Sequence, residues 1–224
     1  MYEFVSGPFA LISFAIFFIG IIARIVWYVK GLDWQLDRVA YSEKLDGGIT
    51  GAARSLFHWL LPFNRTTANH PVFMAVTYLF HICLIITPIF LVAHVVLIEE
   101  SWNISWFTIS DKLADYMTLA VIAAGIFFLI RRIVEPNVRF LTTAWDYIVL
   151  GIAIAPFITG YIAYHQWMDY KFWLIVHILS GEIMLITIPF TKLSHFVLFF
   201  CSRIQIGMDY GIKRGGARGR GIAW

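Results

Sequence analysis

The sequence predicts an all-α integral membrane protein of five transmembrane helices, with its N-terminus outside and its C-terminus in the cytoplasm. Three observations predict it. Of 224 residues, 60% are apolar and only 14% charged, with a mean hydropathy of +0.76, a balance seen in polytopic membrane proteins rather than globular ones. The apolar residues fall into five runs, each near the roughly 20 residues that a 30 Å hydrocarbon core requires. Basic residues gather in alternate loops. Only short connections remain between the runs, so a large soluble domain is excluded and 1–224 reads as a single membrane domain.

The first span is expected at about 5–29. It lacks a basic n-region and a small-residue cleavage pattern, and so reads as a span, not a removable signal. The stretch "AARSLFHWLLPF", Ala52 to Phe63, reads as a short interfacial helix. Further spans are expected at about 71–98, 115–134, 145–165 and 172–200. Pro88, Pro156 and Pro189 lie inside spans, where neighbours can satisfy the freed carbonyls and a kink results. Asp146, close after Thr142 and Thr143, reads as a cap for the fourth helix. Trp102, Trp106, Trp145, Trp167 and Trp173 flank the spans as interfacial anchors. Cys83 and Cys201 lie far apart in apolar segments, with no CxxC or CxxCH pattern, and read as packing residues.

Loop charge sets the direction. Lys30, Arg38, Lys44, Arg54 and Arg65 follow the first span, and Arg131, Arg132 and Arg139 follow the third. Arg203, Lys213, Arg214, Arg218 and Arg220 lie in the basic, glycine-rich tail 203–224. The opposite loops hold only Lys112 and Lys171. Thirteen against two is a strong positive-inside bias. It also accounts for the basic charge without any nucleic-acid partner.

That orientation fixes the depth of the histidines. The second span runs outward, placing His81 near the cytoplasm and His94 near the outer surface. The fifth runs inward, placing His177 outside and His195 inside. Two helices thus each present one imidazole at each depth, the arrangement that bis-histidine ligation of two stacked b-type haems needs. The expected pairs are His94 with His177, and His81 with His195. On a continuous helix, His177 and His195 share one face about 27 Å apart, whereas His81 and His94 are offset by about 140°, an offset that a kink at Pro88 together with tilt can change. His70 is the competing ligand, three turns before His81 but restricted by Pro71. His58 and His165 read as surface or interface residues.

The matching stretches "LFHICLIITPIFLVAH", "LIRRIVEPNVRFLTTAWDYIVL" and "VHILSGEIMLITIPFTKLSH", with a weaker "GIIARIVWY", occur in order over most of the chain. In these the chain resembles the dihaem cytochrome b (gamma) subunits of respiratory nitrate reductase and their relatives. It looks most like the cytochrome b subunit of the high-molecular-weight cytochrome (Hmc) complex of sulfate-reducing bacteria. The resemblance implies five helices in a bacterial inner membrane, two b haems on His81, His94, His177 and His195, and exchange with menaquinone. The histidine spacing in the second helix is longer than in the nitrate reductase subunit.

Other polar residues have two readings each. Glu182, one and a half turns past His177, reads as a proton acceptor at a quinol pocket beside the outer haem or as a carboxyl hydrogen-bonded to a neighbouring helix or haem edge. Arg24, Arg131, Arg132, Arg139 and Lys192 gather at the inner face. Arg132 and Lys192 lead as partners for haem propionates; the alternative is the positive-inside bias itself. The tail reads as a docking segment for a cytoplasmic iron–sulfur subunit, or as a solvated tail touching anionic lipid. The expected function is electron transfer between the quinone pool and partner subunits, an iron–sulfur protein or a periplasmic multihaem cytochrome, beside other membrane subunits. Two rivals stand beside it: a haem-free anchor for peripheral subunits, and a proton or ion carrier using the histidines and Glu182 as a relay. The chain holds no site for a terminal soluble substrate, so a complete enzyme is not expected.

Overall fold

The computed structural model describes residues 2–32, 45–61 and 65–213. In chain order the helices are α1 (Tyr2–Phe4), a π turn (Val5–Phe9) around Pro8, α2 (Ala10–Lys30), α3 (Leu45–Leu60), α4 (Arg65–Asn69), α5 (Pro71–Phe90) and α6 (Val92–Trp102). There follow α7 (Asp111–Val134), α8 (Pro136–Leu141), α9 (Ala144–Tyr164) and α10 (Tyr170–Thr187). Two 3-10 turns (Ile188–Phe190 and Lys192–Ser194) then lead into α11 (His195–Lys213). Among the described residues there is no strand, only an isolated bridge between Leu91 and Ile109. Among the described residues, five helical stretches are long and apolar enough to cross a membrane: Tyr2–Lys30, Pro71–Phe90, Asp111–Val134, Ala144–Tyr164 and Tyr170–Phe190. Large apolar side chains such as Phe18, Ile19, Ile22, Ile126 and Ile130 stand exposed along them, a surface that suits lipid and not water.

Two spans differ from their expected form. The second does not run unbroken over 71–98 with a kink at Pro88; it stops at Phe90, and Leu91 is extended (φ −67°, ψ 131°) before α6 begins. Helix ends leave carbonyls without intrahelical donors, and here each finds another. The Pro88 oxygen accepts from His94 Nδ1 at 2.8 Å, the Ile89 oxygen from Trp106 Nε1 at 2.8 Å, and the Phe90 oxygen from the Ile109 amide at 2.9 Å. Trp106 is therefore a helix cap as well as an expected interfacial anchor. The fifth span does not run unbroken over 172–200 either. Pro189 cannot donate to the preceding turn, the helix tightens, and Thr191 is fully extended (φ −119°, ψ −174°). Consequently His177 and His195 do not ride one continuous helix, and the shared-face argument for them fails.

The chain divides into two compact units, 1–13 with 75–184, and 14–74 with 185–224. In the first unit, Phe80 and Cys83 of α5 pack with Val121 and Ala124 of α7 and Phe157 of α9 as one buried cluster. Asp146 is the expected cap: its carboxylate accepts from the Thr143 amide and from Thr143 Oγ1, both at 2.8 Å, a device worth about 1 kcal/mol. At the far end of α9, His165 Nε2 meets Asp115 of α7 at 3.0 Å.

In the second unit the expected interfacial helix is the later part of the longer α3, and it packs along α11. Bare glycine backbones make the crossing close. A Cβ built on Gly51 would lie 2.1 Å from the Gly207 carbonyl oxygen, and one on Gly211 would lie 2.2 Å from that of Gly47. This is small-residue packing of the GxxxG kind, with one pair on each helix. Arg203 covers the Trp59 ring at 4.7 Å, and the Tyr28 hydroxyl bonds Gln205 Oε1. The expected basic tail is helical from Arg203 to Lys213; its remainder, 214–224, lies outside the described residues, as do Pro62 and Phe63 of the interfacial stretch.

Candidate functional site

Breaking the second span at Leu91 turns α6 relative to α5 and brings His94 beside His177 of α10. Their ring centroids lie 6.0 Å apart with planes inclined by only 13°. Each imidazole is fixed from behind: His94 Nδ1 donates to the Pro88 carbonyl at 2.8 Å, and His177 Nδ1 to the Pro156 carbonyl at 2.9 Å. A donating Nδ1 leaves the lone pair on Nε2, the tautomer in which a neutral histidine is a ligand.

The wall around His177 is built for it. Gly160, on the next turn of α9 after Pro156, faces the ring so closely that a Cβ there would lie 2.8 Å from Cε1 and 2.9 Å from Nδ1. One turn beyond His177, the Ser180 hydroxyl donates to the His177 carbonyl at 2.8 Å and meets Thr159 Oγ1 at 3.0 Å. These bonds clamp α10 to α9 at the level of the imidazole. Sequence reasoning missed Gly160. The available signal was its spacing from Pro156: four residues, one helical turn, on the same face.

The other expected ligands show the same local habit. His81 Nδ1 lies 2.7 Å from the Thr77 carbonyl, one turn back on α5. His195 opens α11 in the second unit, with Nδ1 2.9 Å from the Lys192 carbonyl at the helix break. His81 is half-buried and His195 exposed. The remaining histidines differ. His70 is exposed at the start of α5; His165 uses Nε2, not Nδ1, in its pair with Asp115; His58 of α3 has its Nε2 enclosed with no hydrogen bond.

Glu182 is 4% exposed, and neither carboxyl oxygen has a hydrogen-bond partner among the described residues. Thr87 Oγ1, next to Pro88, is enclosed and unpartnered in the same unit. The hydrogen-bonded reading of Glu182 therefore has no partner among the described residues. Arg132, half-buried at the end of α7, reaches Thr142 Oγ1 at 3.4 Å, and Lys192 is exposed at the Thr191 break. Among the described residues no three or more His, Cys, Asp or Glu side chains converge as a metal cage. The site is a pair of imidazoles, not a cluster.

Fold and site define a helical protein with five helices fit to cross a membrane and a parallel imidazole pair between two of its elements. Over its whole length the chain is similar to a protein of Nitratidesulfovibrio vulgaris (strain Hildenborough), with 46% identity over 226 residues and 100% of both chains covered. It belongs to the same family as that protein, whose name, "Protein", states no activity. No family model matches the chain, and no solved structure matches it.

Proposed function

We propose that the protein is a membrane dihaem cytochrome b, an electron-transfer subunit of a quinone-linked respiratory complex in a bacterial inner membrane. The observation that carries this reading is the His94–His177 pair. Their ring centroids lie 6.0 Å apart with planes inclined by 13°, and each Nδ1 donates to a backbone carbonyl, which would leave both Nε2 atoms for a haem iron. Two lone imidazoles make a poor cage by themselves, whereas an iron porphyrin brings its own four equatorial nitrogens and asks the protein for only two axial ones.

His94 and His177 would hold one haem, and His81 and His195 the other. The haems supply one-electron chemistry; the chain supplies axial ligands, a dry surround and a route for protons. Arg132 and Lys192 supply cations for propionates. Glu182, buried and unpaired, is the acceptor for a proton released as menaquinol is oxidised. The positive-inside bias of the loops supports an outer N-terminus and a cytoplasmic C-terminus, with the outer haem on His94 and His177. Partners of this reading are a cytoplasmic iron–sulfur subunit or a periplasmic multihaem cytochrome, and other membrane subunits.

The test is a pyridine haemochrome spectrum with haem-to-protein stoichiometry on the purified protein and on single alanine variants of the four histidines. Two b haems are expected in the parent, with His94→Ala and His177→Ala each losing one haem, and His81→Ala and His195→Ala the other. An intact preparation without haem overturns the reading. Loss on replacing His70, with retention on replacing His94, overturns the ligand assignment.

A further inference from the structure

The Pro189 break creates a second feature, independent of the haem reading. Gly20 of α2 presents bare backbone to it: a Cβ there would lie 2.6 Å from the Pro189 Cβ and 2.7 Å from its Cγ. The proline ring thus sits directly on α2, and beside it opens a cleft of about 330 Å³ lined by Gly20, Ala23, Arg24, Trp27, Pro189 and Phe190. Four of these residues fall on one face of α2, at the i, i+3, i+4, i+7 spacing.

Arg24 is the one charged residue in the lining. Its Nε is enclosed and has no hydrogen-bond acceptor among the described residues, and its guanidinium carbon lies 5.4 Å from the Trp27 ring centroid. Arg24 stands six residues, about 9 Å of helix rise, inside the Lys30 end of the span. A cation at that depth is costly without a counter-charge, and the lining offers no carboxylate. Trp27 and Phe190, 69% and 68% exposed, flank it as apolar walls on the surface that faces lipid.

We infer that this cleft binds the phosphate headgroup of an anionic membrane lipid, with Arg24 as the phosphate ligand and Trp27 and Phe190 along its acyl chain. The guanidinium fork matches a phosphate in two-point contact where an ammonium does not. Basic pockets between transmembrane helices are sites for such headgroups. A free phosphate has no use for the apolar walls; a lipid has, and the surrounding bilayer supplies it.

The experiment is native mass spectrometry of the full-length protein released from nanodiscs of mixed phosphatidylglycerol and phosphatidylcholine. The parent should retain phosphatidylglycerol selectively. Arg24→Gln should lower that retention about tenfold and Arg24→Lys by less, as loss of a bidentate charged contact predicts. Arg203→Gln, whose cation covers Trp59 elsewhere, should not lower it. Unchanged thermal melting and haem content in Arg24→Gln are part of the expected result. Equal retention of both lipids by the parent, equal retention by parent and Arg24→Gln, or displacement of the lipid by millimolar inorganic phosphate would each overturn the inference. So would haem loss in Arg24→Gln, which would make a propionate the partner instead.

Discussion

Replacing Gly160 by alanine adds one methyl group, and the structure sets where it goes. The new Cβ would lie 2.8 Å from His177 Cε1 and 2.9 Å from Nδ1, where carbon contacts settle near 3.5 Å. The ring must retreat from α9 by about 0.6 Å. Its Nδ1 bond to the Pro156 carbonyl, at 2.9 Å, belongs to the same helix and stretches with that retreat to the edge of hydrogen bonding. Overpacking costs about 1–3 kcal/mol and the weakened bond about 1 kcal/mol, offset by about 1 kcal/mol of helix propensity gained on leaving glycine. The net loss of stability is modest. On the proposed haem reading the displaced imidazole is the larger consequence, because an axial ligand would tolerate little movement. Gly160 is thus a positioning residue for His177.

The assay is haem stoichiometry with the optical and electron paramagnetic resonance spectra of the Gly160→Ala protein, beside Gly151→Ala as a control. A Cβ at Gly151, on the same helix, meets nothing within 4 Å, so that variant should keep both haems and melt no lower than the parent. Gly160→Ala should lose the haem on His94 and His177, or shift its spectrum alone. Two haems with unaltered spectra in Gly160→Ala would refute the steric argument while leaving the haem reading standing; absence of haem from the parent would refute the haem reading itself.

Three further outcomes are expected. Gly51→Val should part α3 from α11, since even a Cβ would lie 2.1 Å from the Gly207 oxygen; a circular dichroism melt should show a loss of about 2 kcal/mol or more, and an unchanged melt would show that the crossing is not tight. Glu182→Gln should keep both haems yet slow menaquinol-driven haem reduction by about 100-fold, the scale of a lost proton acceptor; an unchanged rate would remove Glu182 from proton transfer. Asp115→Asn should lower stability by no more than about 1 kcal/mol in the same melt, because its pair with His165 is partly exposed; a large loss would mean that the pair holds α7 to α9.

The five apolar runs were legible because length and hydropathy are properties of consecutive residues, and the structure has five helices fit to cross a membrane. The cap at Thr143 and Asp146 was legible for the same reason. Breaks were not. Pro88 marks the neighbourhood of the second, but the chain leaves the helix at Leu91, where Trp106 and Ile109 capture the loose carbonyls from 17 and 19 residues away in sequence. A local pattern carries no trace of such partners. Gly160 and the glycine pairs on α3 and α11 were hidden differently, since a missing side chain advertises itself only once its neighbour is known. The His94–His177 pair was named from depth and from the resemblance, and the structure brings the two rings together.

The break at Leu91 also explains why a second span with a proline near its end suits a site of this kind. An imidazole that is to present Nε2 needs a carbonyl for Nδ1, and in a regular helix carbonyls are already engaged by amides four residues on. His81 shares such an occupied carbonyl on α5, at Thr77. His94 takes the one at Pro88, whose amide partner is lost when the chain turns extended at Leu91, whereas His195 shares the Lys192 carbonyl with its own backbone amide. His94 alone of the four is thus held by a carbonyl that a helix break has freed, so the break in the ladder and the placing of that imidazole have one cause. Restoring a continuous helix through Leu91 would remove the Pro88 acceptor and turn His94 back towards its straight-helix bearing. The broken ladder, not the apolar run around it, is what puts His94 beside His177.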